Sequence, residues 1–423
     1  MRQPLTLTQG QQKALDDFLA FLMDPLQPVF VLEGYSGTGK STLVREIIDR
    51  LPSFMQSMKT INPEAPDYEV QLTATTNKAA DVLSQMSGMD VVTIHSFLGL
   101  RVHTDYQARP PKTTLRPTTS EKKAYYLLFI DEASFSDLPL MRYVFSLTEH
   151  SKIVFMGDRA QLAPVGTNGV PPVFTAGFPG AMLTETMRQM VDGVPSSSPV
   201  TDLATAFRHV VNKEAKWPKI KPIPGFIEVL EPDEFNAAIQ AEFTRSDWRY
   251  TDSKILAWTN QCVIDYNNRV SDATNGRPHL EVWDLAVNNK VVMSGSKKIK
   301  TDELVQITNI GPDCVEYDCP GNWIEVDHTM KVFFPKTRQD HKDAFNRAKA
   351  KENVRMMQVI DMEWIDLRHA YACTVNKSQG STFDQVFIDL SNIMKCNSGD
   401  QIARMLYVAI SRARVKVTFK KGS

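Results

Sequence analysis

The sequence predicts an α/β protein made of two tandem domains, each a parallel sheet covered by helices. Three observations lead there. Short strands are apolar along their whole length and each precedes a helical pattern; the octet GYSGTGKS at 34–41 directly follows one of them; and a second series of such strands starts near residue 254. A strand apolar at every position is buried on both faces, as a parallel sheet between helical layers requires. With 423 residues, 42% hydrophobic and 23% charged, the chain is larger than one core usually serves.

In chain order, PVFVLEG (28–34) leads into the octet and its helix, and YEVQLTA (68–74) precedes the helical NKAADVLSQM. YYLLFIDEA (125–133) and KIVFMGD (152–158) complete the first series. The second runs from KILAWTN through the helical QCVIDYNNRV to QVFIDLS and the helical GDQIARMLYVAISRA. Two stretches interrupt this rhythm. Residues 101–123 are rich in Pro and Thr and carry six Lys/Arg against Asp105 and Glu121, which on composition alone reads as a solvated loop. Residues 290–360 hold short strand-like pieces and then a polar helical run, the pattern of a small β-barrel insert with a helical extension. The expected layout is 1–100 with 124–175 for the first domain and 176–289 with 361–423 for the second, with inserts at 101–123 and 290–360.

Lys plus Arg number 48 against 49 Asp plus Glu, so any basic surface must be local, and overall charge neither demands nor excludes nucleic acid. Five scattered cysteines without a C-x-x-C pair indicate neither a disulfide framework nor a zinc site. The N-terminal stretch has no apolar signal core, and FLAFLM (18–23) is too short to span a bilayer, so a cytosolic protein without a membrane partner is expected.

GYSGTGKS between a strand and a helix specifies a nucleoside triphosphate site. Its glycines turn backbone N–H groups toward phosphates, Lys40 reaches the β and γ groups, and the Ser41 hydroxyl ligates Mg²⁺. The candidate ligands are Gly34, Ser36, Gly37, Thr38, Gly39, Lys40, Ser41 and Thr42. YYLLFIDEAS supplies the partner acids: Asp131 for magnesium and Glu132 to orient and deprotonate the attacking water. Gln161, in MGDRAQLAPVG, is a candidate γ-phosphate sensor. Gln11, at a helix start, has an amide able to read an adenine edge, although alone it reads as a surface residue.

Nine segments now stand in one order: LTQGQQKAL, GYSGTGKS, TATTNKAADVL, TIHSFLGL, FIDEASF, GDRAQLAPVG, LTETMRQ, TVNKSQGSTFDQV and MLYVAISRAR. That order resembles superfamily 1 helicases, and DEAS, GD-x-x-QL-x-PV and KSQGSTF resemble the RecD-like branch in particular. The short length and small early insert are similar to phage members. The resemblance implies two RecA-like motor domains with ATP between them and single-stranded DNA across their top. It implies that Arg188 and Arg412 are arginine fingers from the second domain, and that Gln379 and Gly380 approach the γ-phosphate. Phosphate contacts to DNA would come from Thr75, Asn77, Lys78, His95, Ser96, Thr374 and Asn376.

Two departures stand out. Asn376 replaces the branch's usual histidine, which removes a cationic option, and Met187 replaces a tyrosine that would stack on adenine. The resemblance also turns 101–123 into a β-hairpin pin around Tyr106 to Arg116, and 290–360 into a DNA-clamping accessory domain. The function so implied is an ATP-dependent 5′-to-3′ DNA helicase acting on single strands and duplex junctions, in replication or recombination. It would be a monomer in the host cytoplasm if of phage origin, with a single-strand-binding protein or replisome component as a further partner. The alternatives are a single-strand translocase, an RNA helicase, or a nucleotide-gated DNA-remodelling factor that does not unwind.

Overall fold

Alternate residues of Tyr126–Asp131 feed two different cores. Leu127 and Phe129 join Leu43, Ile47 and Val154 on one face, while Leu128 and Ile130 join Ile94, Val144 and Phe155 on the other. The computed structural model describes residues 7–108, 111–163, 169–185, 190–191, 194–195 and 198–422. Six strands form the first sheet, all parallel, in the order Gly180–Leu183, Val29–Gly34, Lys152–Gly157, Tyr126–Asp131, Glu69–Ala74, Val92–Thr93. The second sheet is also parallel, ordered Ile227–Leu230, Ala413–Lys420, Phe383–Asp389, Ser253–Ala257, Ala372–Thr374. Here too the strands divide between cores: Leu256 and Val386 on one side, Ile255 and Phe387 on the other.

The first sheet extends beyond the limit expected at residue 175. Gly180–Leu183 pairs with Val29–Gly34, and a Cβ on Gly180 would lie 2.1 Å from the Val31 carbonyl oxygen, so this edge strand depends on a glycine for its close approach. Four residues carry too little periodicity to announce a strand.

Leu100–Asp105 and Lys112–Pro117 form an antiparallel hairpin, with 109–110 of its connection outside the described residues. Its base is tied to the first domain by Leu100, in the core, and by the Tyr143 hydroxyl, which donates to the Leu115 carbonyl at 2.8 Å. At the far end Tyr106 is buried among Cys319, Phe333, Ala344 and Trp364, and its hydroxyl donates to Asp361 Oδ2 at 2.6 Å.

The accessory sheet is antiparallel, ordered Met330–Pro335, Cys319–Val326, Leu304–Glu316, Leu285–Asn288, Leu367–His369. It begins before 290 and ends after 360, because the outer pieces supply the pairing and apolar residues (Ala286, Leu367) that complete its core. The Ile365 N–H donates to the Phe333 carbonyl at 3.0 Å, which draws the two edges together in barrel fashion. Helices Arg338–Ala350 and Val354–Met362 form the helical extension. The five cysteines are free, and among the described residues there is no His/Cys/Asp/Glu cluster suited to a metal and no helix long and apolar enough to cross a membrane.

Candidate nucleotide cleft and nucleic-acid surface

The strands Val29–Gly34, Tyr126–Asp131 and Lys152–Gly157 run parallel, so their carboxyl ends deliver the phosphate loop, the acidic pair and the GDRAQ turn to one edge. Such edges are where open parallel sheets bind ligands. Gly37 and Gly39 have φ of 82° and 76°, a conformation natural to glycine. A Cβ at Gly34 would approach Thr38 Oγ1 to 2.8 Å and Leu183 Cβ to 2.9 Å. Helix Lys40–Ile61 starts with no side-chain cap, which leaves its first N–H groups available to an anion.

The cleft at this edge holds about 330 Å³, lined by Ser36, Gly37, Thr38, Gly39, Lys40, Ser41, Thr42, Asp131, Glu132, Gln161, Gly380 and Arg412. Lys40 Nζ donates to the carbonyls of Gly34 and Tyr35 at 2.8 and 3.0 Å. Burial lowers the pKa of this ammonium, against the attraction of Asp158, Asp131 and Glu132. Asp131 Oδ1 accepts the Glu132 N–H at 2.8 Å, and burial raises its carboxyl. Glu132 sits at φ 50°, a strained setting for a non-glycine residue. Burial first, and Asp131 second, push its carboxyl up to about 7, and its Oε2 is a buried oxygen with no hydrogen-bond partner.

The second domain faces this edge. Arg412 is 3% exposed and its Nη2 donates to Ser36 Oγ of the phosphate loop at 3.1 Å. Burial lowers its pKa, with Glu132 as the main opposing charge. Gln379 Nε2 donates to Gln161 Oε1 at 3.2 Å, and Gln379 Oε1 is buried without a partner. Gly380, at φ 75°, turns the chain beside Ala79. Arg188 and Met187 lie outside the described residues. Gln11 is not the surface residue that its position taken alone suggested. It is 3% exposed, its Oε1 accepts the Thr8 N–H, and its Nε2 donates to the Thr38 carbonyl, so the amide braces the phosphate loop from outside.

The expected DNA contacts divide. Lys78 and Thr374 line one small cavity shared by both parallel-sheet domains and the accessory sheet. Asn77 opens the helix Asn77–Ser87 beside it. Asn376 starts the turn Asn376–Ser378. Ser96 is exposed on the short helix Ile94–Phe97, and its neighbour His95 is held toward the neutral form by burial. Thr75 is turned elsewhere: its hydroxyl donates to the Glu132 carbonyl at 2.9 Å, which spends its proton on holding the acidic pair.

Sequence reasoning missed Lys254, Lys377 and Arg368 in the same cavity. Lys254 lies in the strand Ser253–Ala257 with its Nζ 3.7 Å from the Tyr250 ring centroid, and burial pushes its pKa down to about 7. Lys377 Nζ donates to Asn289 and Asp302 at 2.8 Å. A lysine inside an apolar strand reads as an irregularity, and only the fold places it with the others. KSQG offered a signal for Lys377 through its position next to Asn376.

Two family models match parts of the chain. The AAA domain family matches residues 6–209, and the UvrD-like helicase C-terminal domain family matches 369–419. The chain is 28% identical over 237 residues to the ATP-dependent DNA helicase dda of Enterobacteria phage T4, covering 52% of this chain and 45% of that protein. It is 26% identical over 301 residues to the ATP-dependent RecD2 DNA helicase of Deinococcus radiodurans, covering 63% and 38%. The chain thus spans less than half the length of these curated relatives. Among solved structures, Pif1 helicase from Bacteroides in complex with ADP-AlF3 and ssDNA aligns over 98% of this chain and 92% of that one, at 16% identity and a TM-score of 0.49.

Proposed function

We propose, for a chain that belongs to the RecD-like branch of the superfamily 1 helicases, that it hydrolyses ATP to move 5′ to 3′ along single-stranded DNA and to separate duplex ahead of it. The observation that carries the proposal is the two-sided cleft: Lys40, Asp131 and Glu132 stand on one sheet, and Arg412, from the other domain, reaches the phosphate loop at Ser36.

The phosphate loop and the open start of helix Lys40–Ile61 hold the triphosphate, with Lys40 exchanging loop carbonyls for β and γ oxygens. A hydroxyl and a carboxylate at the loop edge suit a hard cation, so Ser41 and Asp131 would hold Mg²⁺, which neutralises phosphate charge when bound. Glu132, with an unpaired oxygen and a carboxyl near 7, accepts a proton from the attacking water at neutral pH. Arg412 stabilises charge on the transferred phosphoryl group; such fingers are worth ~10³–10⁵ in rate. Arg188 is assigned the same role by its motif alone. Gln161 and Gln379, bonded across the cleft, register the γ-phosphate.

Loss of that phosphate weakens the attraction between domains, and the cleft opens. Because Lys78 belongs to one domain and Thr374 and Lys377 to the other, opening changes the spacing of their grips on the DNA backbone. Asn77, His95, Ser96 and Asn376 extend that track. The hairpin around Tyr106 is the wedge, braced at its tip by Asp361, and an average base-pair step of about 1.4 kcal/mol makes blocking re-annealing sufficient. The accessory sheet holds the brace. Polarity rests on the family relation.

Duplexes carrying 5′ or 3′ single-stranded tails, in DNA and in RNA, test the proposal. ATP-dependent displacement of 5′-tailed DNA is expected. Displacement of only 3′-tailed substrates overturns the polarity, preference for RNA overturns the substrate, and hydrolysis without displacement identifies a translocase or remodelling factor.

A further inference from the structure

Two positions of GYSGTGKS carry no requirement from phosphate binding. The octet needs its glycines, Lys40 and Ser41, and asks nothing of the side chains at Tyr35 and Ser36. Both are nevertheless held from the second motor domain. Helix Gly399–Ile410 carries Tyr407, whose hydroxyl accepts the Ser36 N–H at 3.0 Å and donates to Asp158 Oδ2. Helix Pro199–Val211 carries Arg208, whose guanidinium lies 3.7 Å from the Tyr35 ring centroid. The same guanidinium donates to Asp158 Oδ1 through Nη2 at 3.0 Å and Nε at 3.2 Å.

Asp158, Arg208 and Tyr407 are 0%, 1% and 2% exposed, so each needs buried polar partners, which the three supply to one another together with Glu33 Oε1, 3.5 Å from Arg208 Nη2. Asp158 does more than bridge them. Its Oδ1 also accepts the Ala160 N–H at 3.0 Å and its main-chain carbonyl accepts the Gln161 N–H at 3.1 Å, so it shapes the turn that carries Gln161. On the other side, Tyr407 precedes Arg412 by about one turn of helix, and Arg412 bonds the same Ser36. One buried carboxylate therefore joins the phosphate loop, the Gln161 turn and the helix that leads to Arg412.

We infer that Tyr407, with Arg208 and Asp158, is a positioning relay that grips the phosphate loop at Tyr35 and Ser36 and sets where Arg412 and Gln161 stand. The inference rests on the cleft being an ATPase site. Nucleotide binding depends on loop N–H groups and Lys40, whereas hydrolysis depends on Arg412 and Gln161 being in place. Loosening the relay therefore lowers kcat and spares affinity.

Tyr407→Phe keeps the ring and removes both hydroxyl bonds. ATP turnover with saturating single-stranded DNA, affinity for a fluorescent ADP analogue, and the thermal midpoint are measured together. Loss of one hydrogen bond to a charged group predicts kcat lower by about tenfold to a hundredfold, with ADP affinity changed by less than about threefold. Turnover within about threefold of the parent overturns the relay. Should that variant fail to fold, Tyr35→Leu at a half-buried position removes the ring under Arg208 and carries the same expectation, and unchanged turnover there overturns it equally. The Tyr407→Phe and Asp158→Asn effects should be non-additive, as for residues in one network; simple additivity also counts against the relay. Lys40→Ala serves as control: full turnover in that variant defeats the ATPase site itself, whereas an inactive Lys40→Ala beside a fully active Tyr407→Phe defeats only the relay.

Discussion

Replacing Glu132 by Gln should make the protein inactive and more stable at the same time. Burial and Asp131 hold the Glu132 carboxyl at about 7 against an ordinary value of 4.5. The native state therefore favours the protonated acid. The stabilisation this brings is fully present below 4.5 and is lost as pH rises through about 7, which leaves a buried charge that Arg412 and Lys40 compensate only in part above that point. A displacement of that size corresponds to roughly 3 kcal/mol at pH 8, reduced in practice because the residue is partly open to the cleft. Glutamine keeps the shape, including the strained backbone at φ 50°, and carries no charge. Denaturant unfolding at pH 8 should show Glu132→Gln stabilised by about 1–3 kcal/mol, and at pH 4.5 the gain should vanish. Over the same range, single-strand-stimulated ATPase should fall by about 10²–10⁴, the usual worth of a general base. In the parent enzyme kcat/KM should climb with pH through the region near 7, as the Glu132–Asp131 pair ionises. A variant that keeps its ATPase within about threefold, or that is less stable than the parent at pH 8, refutes the assignment of Glu132 as a buried base.

Two further outcomes follow from the structure. Tyr106→Phe removes the hydroxyl bond to Asp361, worth about 1.5–3 kcal/mol, and should slow duplex unwinding while ATPase on single strands holds; removing the hairpin should abolish unwinding with ATPase intact, and normal unwinding would dismiss the wedge. Lys78 lines the cavity between the domains; Lys78→Met should make the salt slope of single-strand binding shallower by about 0.7, and an unchanged slope in filter binding would remove Lys78 from the DNA track.

Motifs with tight local requirements were legible before any coordinates. The glycines of GYSGTGKS, the acidic pair after YYLLFI and the KSQG turn answer to backbone geometry within a few residues, so the chain itself displays them. Elements whose reason lies elsewhere were not. Gly180–Leu183 is a strand only because Val29–Gly34 offers an edge, and Leu285–Asn288 belongs to the accessory sheet only because Leu304–Glu316 lies beside it. Thr75 looked like a DNA contact, but its hydroxyl serves Glu132, and Gln11 looked exposed, but its amide is buried against Thr38.

What the sequence by itself determined was the fold class, two parallel α/β units, and a set of candidate groups for a triphosphate. Apolar strands of uniform burial and a loop with defined φ angles are local properties, and one-dimensional patterns carry them. The tertiary structure alone decided which groups meet. Arg412 and Ser36 are far apart in sequence yet 3.1 Å apart in space, and Tyr407, indistinguishable from core in an apolar helix, closes on Asp158 and the phosphate loop. A buried polar group declares its purpose only through its partners, and those are set by how the two sheets face each other.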